Sequence, residues 1–212
     1  MSIINILIGY NDKPLCEYSE YTGNFQQICS EVLKQVNKNA SLSLTFPEGY
    51  TIFYRNENDI TYMVMAEQDY PKATVIGCLD SIQNEFKKKY SSYNFDSTPS
   101  YGLNQEFGMI LKNKFDFYNK NKNVTDEQLN SLKEKLLDMK DKIIETNDLL
   151  KDRGDKINLI VKKAETLQDT SRSFYSSSKK VSWAAKMKKM KIYFFFAGIA
   201  IGLGVILYLI FR

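Results

Sequence analysis

The 212-residue chain contains no histidine. That absence removes the commonest general base, the commonest neutral metal ligand and every Ser-His-Asp or Cys-His arrangement. Cysteine is scarce: Cys16, Cys29 and Cys78 are odd in number, far apart and flanked by apolar or helix-patterned residues. They read as free, buried thiols of a reducing compartment, and no disulfide framework is implied. Charge of one sign is not in excess either. A net charge of +4 is small for this length, and its lysines crowd one end, so nucleic acid is not an expected partner. Carboxylate pairs such as Asp138/Asp141 fall on a charged helix face and are most simply solvated. No catalytic residue, cofactor or metal is expected, and the chain is not read as an enzyme. What is present, 43% hydrophobic and 25% charged residues, excludes disorder throughout.

Residues 1–118 read as a compact α+β domain. Ile3–Tyr10 and Leu15–Ser19 are predicted strands around an Asn11-Asp12-Lys13-Pro14 turn. Gly23-Asn24 supplies a turn and an N-cap for a helix whose Phe25, Ile28, Cys29, Val32, Leu33 and Val36 share one face. Leu42–Phe46, Thr51–Arg55 and Ile60–Ala66 form a three-stranded meander, being separated by Pro47-Glu48-Gly49 and Asn56-Glu57-Asn58-Asp59. Two more helices carry the stripes Val75/Leu79/Ile82/Phe86 and Phe107/Ile110/Leu111/Phe115, with a Ser/Asn/Pro-rich break at Ser91–Ser100 between them.

A polar linker, 119–125, leads into a proline-free segment, 126–185, with a different period. Steps alternating between three and four link Leu129, Leu132, Leu136, Met139, Ile143, Thr146, Leu150, Arg153, Ile157, Ile160, Ala164, Leu167, Ser171, Phe174, Ser178 and Val181. Twelve of these sixteen positions are apolar, and a seam sustained that long specifies a left-handed coiled coil. Alone the segment is a poor helix, because Gly154 and the Ser-rich stretches before the membrane lower its propensity; it is expected to form on binding partners. Arg153 is the one charge on the seam. If buried, its five donors need several carbonyl oxygens, such as side-chain amides of neighbouring helices; otherwise its long stem reaches solvent.

The chain closes with a charge-free apolar stretch, 192–211, long enough at ~1.5 Å per residue to cross a ~30 Å hydrocarbon core. Only Arg212 follows, which predicts a tail anchor. Trp183 and Lys186, Lys188, Lys189 and Lys191, most of them in the basic stretch 186–191, are the expected membrane-surface residues, and the lysines place the preceding chain in the cytosol.

Leu150-Lys151-Asp152-Arg153-Gly154-Asp155-Lys156-Ile157 resembles the central ionic layer of the longin-type R-SNAREs, in particular the long, synaptobrevin-like vesicle-associated membrane proteins of the endosomal and lysosomal kind. Lys162–Leu167, Ser173-Phe174, the basic approach to the membrane, Gly23-Asn24-Phe25 and Pro99–Phe107 follow the same resemblance. It implies a profilin-like longin domain (a five-stranded antiparallel sheet with three helices), then a SNARE coiled-coil helix and a single transmembrane helix. It implies further that Arg153 meets glutamines from three Q-SNARE helices, and that zippering drives fusion of a vesicle, endosomal/lysosomal or plasma membrane, as in exocytosis. The longin domain is then a regulatory and sorting module that binds trafficking adaptors. The competing reading is a non-fusogenic tail-anchored tether whose coiled coil only holds distance. A second apolar set, Leu137, Ile144, Leu149, Leu159 and Val161, needs cover; residues 1–118 are expected to cover it by holding the N-terminal half of the motif in a closed state, a fold-back that the resemblance also implies.

Overall fold

The computed structural model describes residues 1–123, 132, 135–143 and 159–163. β1 (Ile3–Tyr10) and β2 (Lys13–Tyr18) form the expected hairpin. Asn11 turns it at φ 54°, a left-handed value that asparagine tolerates. Pro14 lies inside β2 rather than in the turn, acceptable because β2 is an edge strand. A short β3 (Tyr21–Gly23) leads into α1 (Phe25–Lys34), which buries Phe25, Ile28, Cys29, Val32 and Leu33. β4 (Ser41–Phe46), β5 (Tyr50–Glu57) and β6 (Ile60–Glu67) are the meander. α2 (Lys72–Tyr90) and α3 (Asn104–Lys120) complete the domain.

Five strands pair antiparallel in the order β2-β1-β6-β5-β4. The period-2 alternation of side chains divides the core between two faces. Ile6, Ile8, Tyr62 and Val64 pack with α2 and α3, whereas Leu7, Ile52, Met63 and Met65 pack with α1. β1 and β6 lie in the middle of the sheet and are covered on both sides, so they read as continuous apolar runs. The β2 edge is closed by the joint before α3: Tyr101, Leu103 and the Asn104 side chain bond the backbone of Pro14, Leu15 and Glu17 at 2.8–3.0 Å.

Two further strands come from the segment that the heptad pattern assigns to a helix. β7 (Lys140–Ile143) adds to β4 in parallel register, Leu42 opposite Lys140 and Thr45 opposite Ile143. β8 (Val161–Lys163) pairs antiparallel with β3, Gly23 opposite Val161. The physical reason is competition. A lone heptad helix leaves its seam in water, whereas the unpaired N–H and C=O groups of β4 offer a ready template. The seam positions Leu129, Thr146, Leu150, Arg153, Ile157, Ala164, Leu167, Ser171, Phe174, Ser178 and Val181 lie outside the described residues, as do Trp183, the lysines of the basic stretch and the apolar stretch 192–211. Among the described residues no helix is long and apolar enough to cross a membrane.

Candidate functional site

Ser41-Leu42-Ser43-Leu44-Thr45-Phe46 carries neither charge nor proline, the usual protections of an exposed edge strand. β7 covers that edge. Asp141 anchors it on the side-chain level: its carboxylate accepts hydrogen bonds from the buried Ser43 hydroxyl and, at 2.8 Å, from the Lys72 ammonium at the start of α2. Lys72 and Ser43 hold the Asp141 carboxyl below its ordinary range. A second ion pair lies just before β7, where Lys135 reaches Asp80 of α2. Asp80 also binds Arg55 of β5, which in turn donates to Gln83 at 3.0 Å. Arg55 and Asp80 are each only 14% exposed, so Lys135 joins a pair already largely withdrawn from water.

Two seam residues are buried on the α2/α3 side. Leu132 and Met139, at 7% and 4% exposure, join the core cluster of α2 and α3, and Leu136 packs partly against it. The seat for Leu132 is a notch at Gly77: a Cβ on that residue would lie 3.5 Å from a Leu132 methyl and 3.7 Å from the Tyr118 ring. Tyr118 fixes the notch by donating its hydroxyl to the Gly77 carbonyl at 2.9 Å.

The third contact is on the opposite face. Leu159 is buried among the residues that pack with α1, with Val161 partly buried beside it. The Ile160 backbone is bonded at both ends by one residue: the Asn24 amide donates to its carbonyl at 3.2 Å, and its amide donates to Asn24 Oδ1 at 2.7 Å. Leu159 N–H donates to Glu48 at 3.2 Å. Gly23 permits this approach, because a Cβ there would sit 1.9 Å from the Ile160 carbonyl oxygen. Asn24 occupies the N-cap position of α1 as expected, but its side chain makes no capping hydrogen bond. The described pieces of the motif thus lie on both faces of the sheet, with β7 on the edge between them.

The covering expected of the second apolar set is met in part. Leu159 and Val161 are covered; Leu137 is 80% exposed, and Ile144 and Leu149 lie outside the described residues. Covered in its place are the seam residues Leu132 and Met139, while the seam residue Ile160 is 48% exposed and held by its backbone. The contact also reaches past the N-terminal half of the motif. Sequence reasoning missed Asp80, Ser43 and Gly77, ordinary sheet or helix residues, and Glu48, in the turn between β4 and β5, none with a local pattern to single it out. One signal was present in the unprotected β4 edge.

Cys16, Cys29 and Cys78 are free and buried, as expected, and burial pushes all three thiols up, Cys29 to about 12. Glu17 of β2 is buried beneath α1, where loss of hydration raises its carboxyl to about 7 against the opposing hydrogen bond from Gln26. Among the described residues no three metal-ligating side chains come together.

An α+β domain followed by a heptad segment defines a class, and comparison with known proteins gives it a family. Residues 15–111 match the regulated-SNARE-like domain called Longin, and residues 128–211 match Synaptobrevin. Vesicle-associated membrane protein 714 of Arabidopsis thaliana is 27% identical over 194 residues, covering 91% of this chain and 86% of that protein. Vesicle-associated membrane protein 7B of Dictyostelium discoideum is 27% identical over 192 residues, 91% of this chain and 73% of that one. Vesicle-associated membrane protein 7 of Homo sapiens is 24% identical over 198 residues, 91% and 86%. The chain belongs to the longin-type R-SNAREs. It is a vesicle R-SNARE of membrane trafficking and fusion, and nothing in the comparisons favours the tether reading.

Proposed function

We propose that the chain acts on the vesicle side, alternating between a closed state, in which residues 1–118 hold parts of the motif, and an assembled state, in which residues 126–185 form one helix of a four-helix bundle with three Q-SNARE helices. The observation that supports this most directly is the burial of Leu132 and Met139 against α2 and α3. The same side chains occupy the heptad seam, and a side chain seated in the Gly77 notch cannot at the same time face partner helices. In the assembled state Arg153 meets partner amides as the ionic layer. The seam from Leu129 to Val181 then zips toward Trp183 and Lys186, Lys188, Lys189 and Lys191, and the anchor 192–211 draws the bilayers together. Burial of large aliphatic side chains, ~1.5–3 kcal/mol each before entropy is subtracted, supplies the work. Trafficking adaptors bind the longin domain, with the chain cytosolic up to its anchor. No cofactor takes part, and no covalent bond is made or broken.

The test is a comparison of the cytosolic chain with the same chain lacking residues 1–118, each used to capture coiled-coil partners from a membrane extract. The shorter chain is expected to bind the same Gln-bearing helices faster and more tightly, by the free energy the closed state holds. Equal rates and affinities would leave the domain as an adaptor module without a clamping role.

A further inference from the structure

Asn24 stands where the N-cap of α1 belongs, and asparagine is among the best N-cap residues because its side-chain oxygen accepts an amide of the first turn. Here it makes no such bond. Its Oδ1 accepts the Ile160 amide at 2.7 Å, while its own backbone amide donates to the Ile160 carbonyl at 3.2 Å. One residue of the domain therefore bonds both polar groups of one motif residue. Gly23, immediately before it, leaves the space that the Ile160 carbonyl fills.

We infer that Asn24 is an exchange point between the two states: its side-chain oxygen binds the Ile160 amide when the motif is docked and caps the first turn of α1 when the motif leaves. This rests on the clamp reading and adds to it a specific residue. Three features carry it. In the docked state the side-chain oxygen is turned to the Ile160 amide, and in that orientation it bonds no amide of the first turn of α1, so the two uses exclude one another by orientation. The Asn24 carbonyl already accepts the Ile28 amide at 3.2 Å, so the first turn of α1 is formed in the docked state, and capping needs only rotation at Asn24, whose ψ of 4° lies outside the extended region that N-cap residues usually adopt. And the contact is to the backbone just before β8, so it depends on the β3–β8 pairing and vanishes when this stretch becomes helical. Release of the motif then does not strand a polar group: the domain gains a cap as it loses a strand, which keeps the docked state easy to leave. Gly23 gates the same event, since any side chain at that position meets the Ile160 carbonyl before Asn24 can bond it.

The experiment is amide hydrogen exchange on the full-length chain in detergent, comparing the wild type with Ile160→Pro, which removes the motif's amide and leaves the domain untouched. Ile160 is expected to be protected in the wild type. In Ile160→Pro the Gln26 and Gln27 amides should become about fivefold slower to exchange, and this gain should disappear in Asn24→Ala/Ile160→Pro. Gly23→Ala, a second way to undock the same residue, should reproduce the slowing. If Ile160 is protected in the wild type but Gln26 and Gln27 do not respond to Ile160→Pro or Gly23→Ala, the exchange is wrong and the clamp stands. If Ile160 is unprotected in the wild type, the clamp fails at this contact and the exchange with it.

Discussion

Glu17 carries a measurable consequence of where the domain places it. The carboxyl is 6% exposed under α1, and loss of hydration raises it to about 7 from an ordinary 4.5. An acid held above its unfolded-state value binds a proton on folding, so the contribution of Glu17 to stability is fully present below about pH 4.5 and is lost as pH rises to about 7. That interval corresponds to ~3 kcal/mol. Thermal melts of the cytosolic chain between pH 5 and pH 8 should show this loss, and Glu17→Gln should flatten the profile and raise the melting temperature at pH 8. An unchanged slope would mean that Glu17 is hydrated. Arg153 makes the complementary case, a residue whose importance was legible while its surroundings were not. Its standing as the only seam charge follows from counting. Arg153→Asp is expected to leave the domain's melting unchanged and to impair assembly with partner helices, because their amides lose a donor; normal assembly would remove the ionic-layer assignment.

At the level of elements, α1, α2 and α3 could be read from the sequence because a helical period dominates each, and β1 and β6 because each is a short apolar run bounded by turn residues, which the covering of both sheet faces explains. β7 could not be read. Lys140-Asp141-Lys142-Ile143 is polar, sits inside a heptad array and has no strand pattern. What makes it a strand is the bare edge of β4, together with the Ser43, Lys72 and Asp141 contacts, all of them distant in sequence. β8 likewise depends on Gly23 and Asn24. A segment whose structure is chosen by its partner should be moved by weakening the partner contact. Asp141→Lys replaces the acceptor of Ser43 and Lys72 with a like charge for Lys72, and should raise the rate of partner-helix capture several-fold. The Lys72–Asp141 pair is solvent-accessible, so raising ionic strength from 0.05 to about 0.5 M should speed capture by the wild type and have less effect on Asp141→Lys. Salt-insensitive capture would assign the closed state to its apolar contacts alone.

Across the whole molecule, a folded domain is followed by a segment proposed to alternate between two partners and by a proposed anchor. The anchor is a reading of 192–211 and has a direct check. Full-length protein should resist carbonate extraction, and truncation after Lys191 should release it. Sugar acquired at Asn39-Ala40-Ser41 or Asn123-Val124-Thr125 in cells would contradict a cytosolic domain. The central claim is that domain and partner helices compete for the same stretch of motif. Asn84 of α2 and Asp138, just before β7, are both exposed and line one cleft with Lys135 and Arg55, and the three native cysteines are buried, so spin labels introduced at 84 and 138 report the docked state without interference. In bilayer-reconstituted full-length chain the account predicts a short inter-label distance that is lost, population for population, as partner helices are titrated in. A short distance that persists in the fully assembled complex would contradict it.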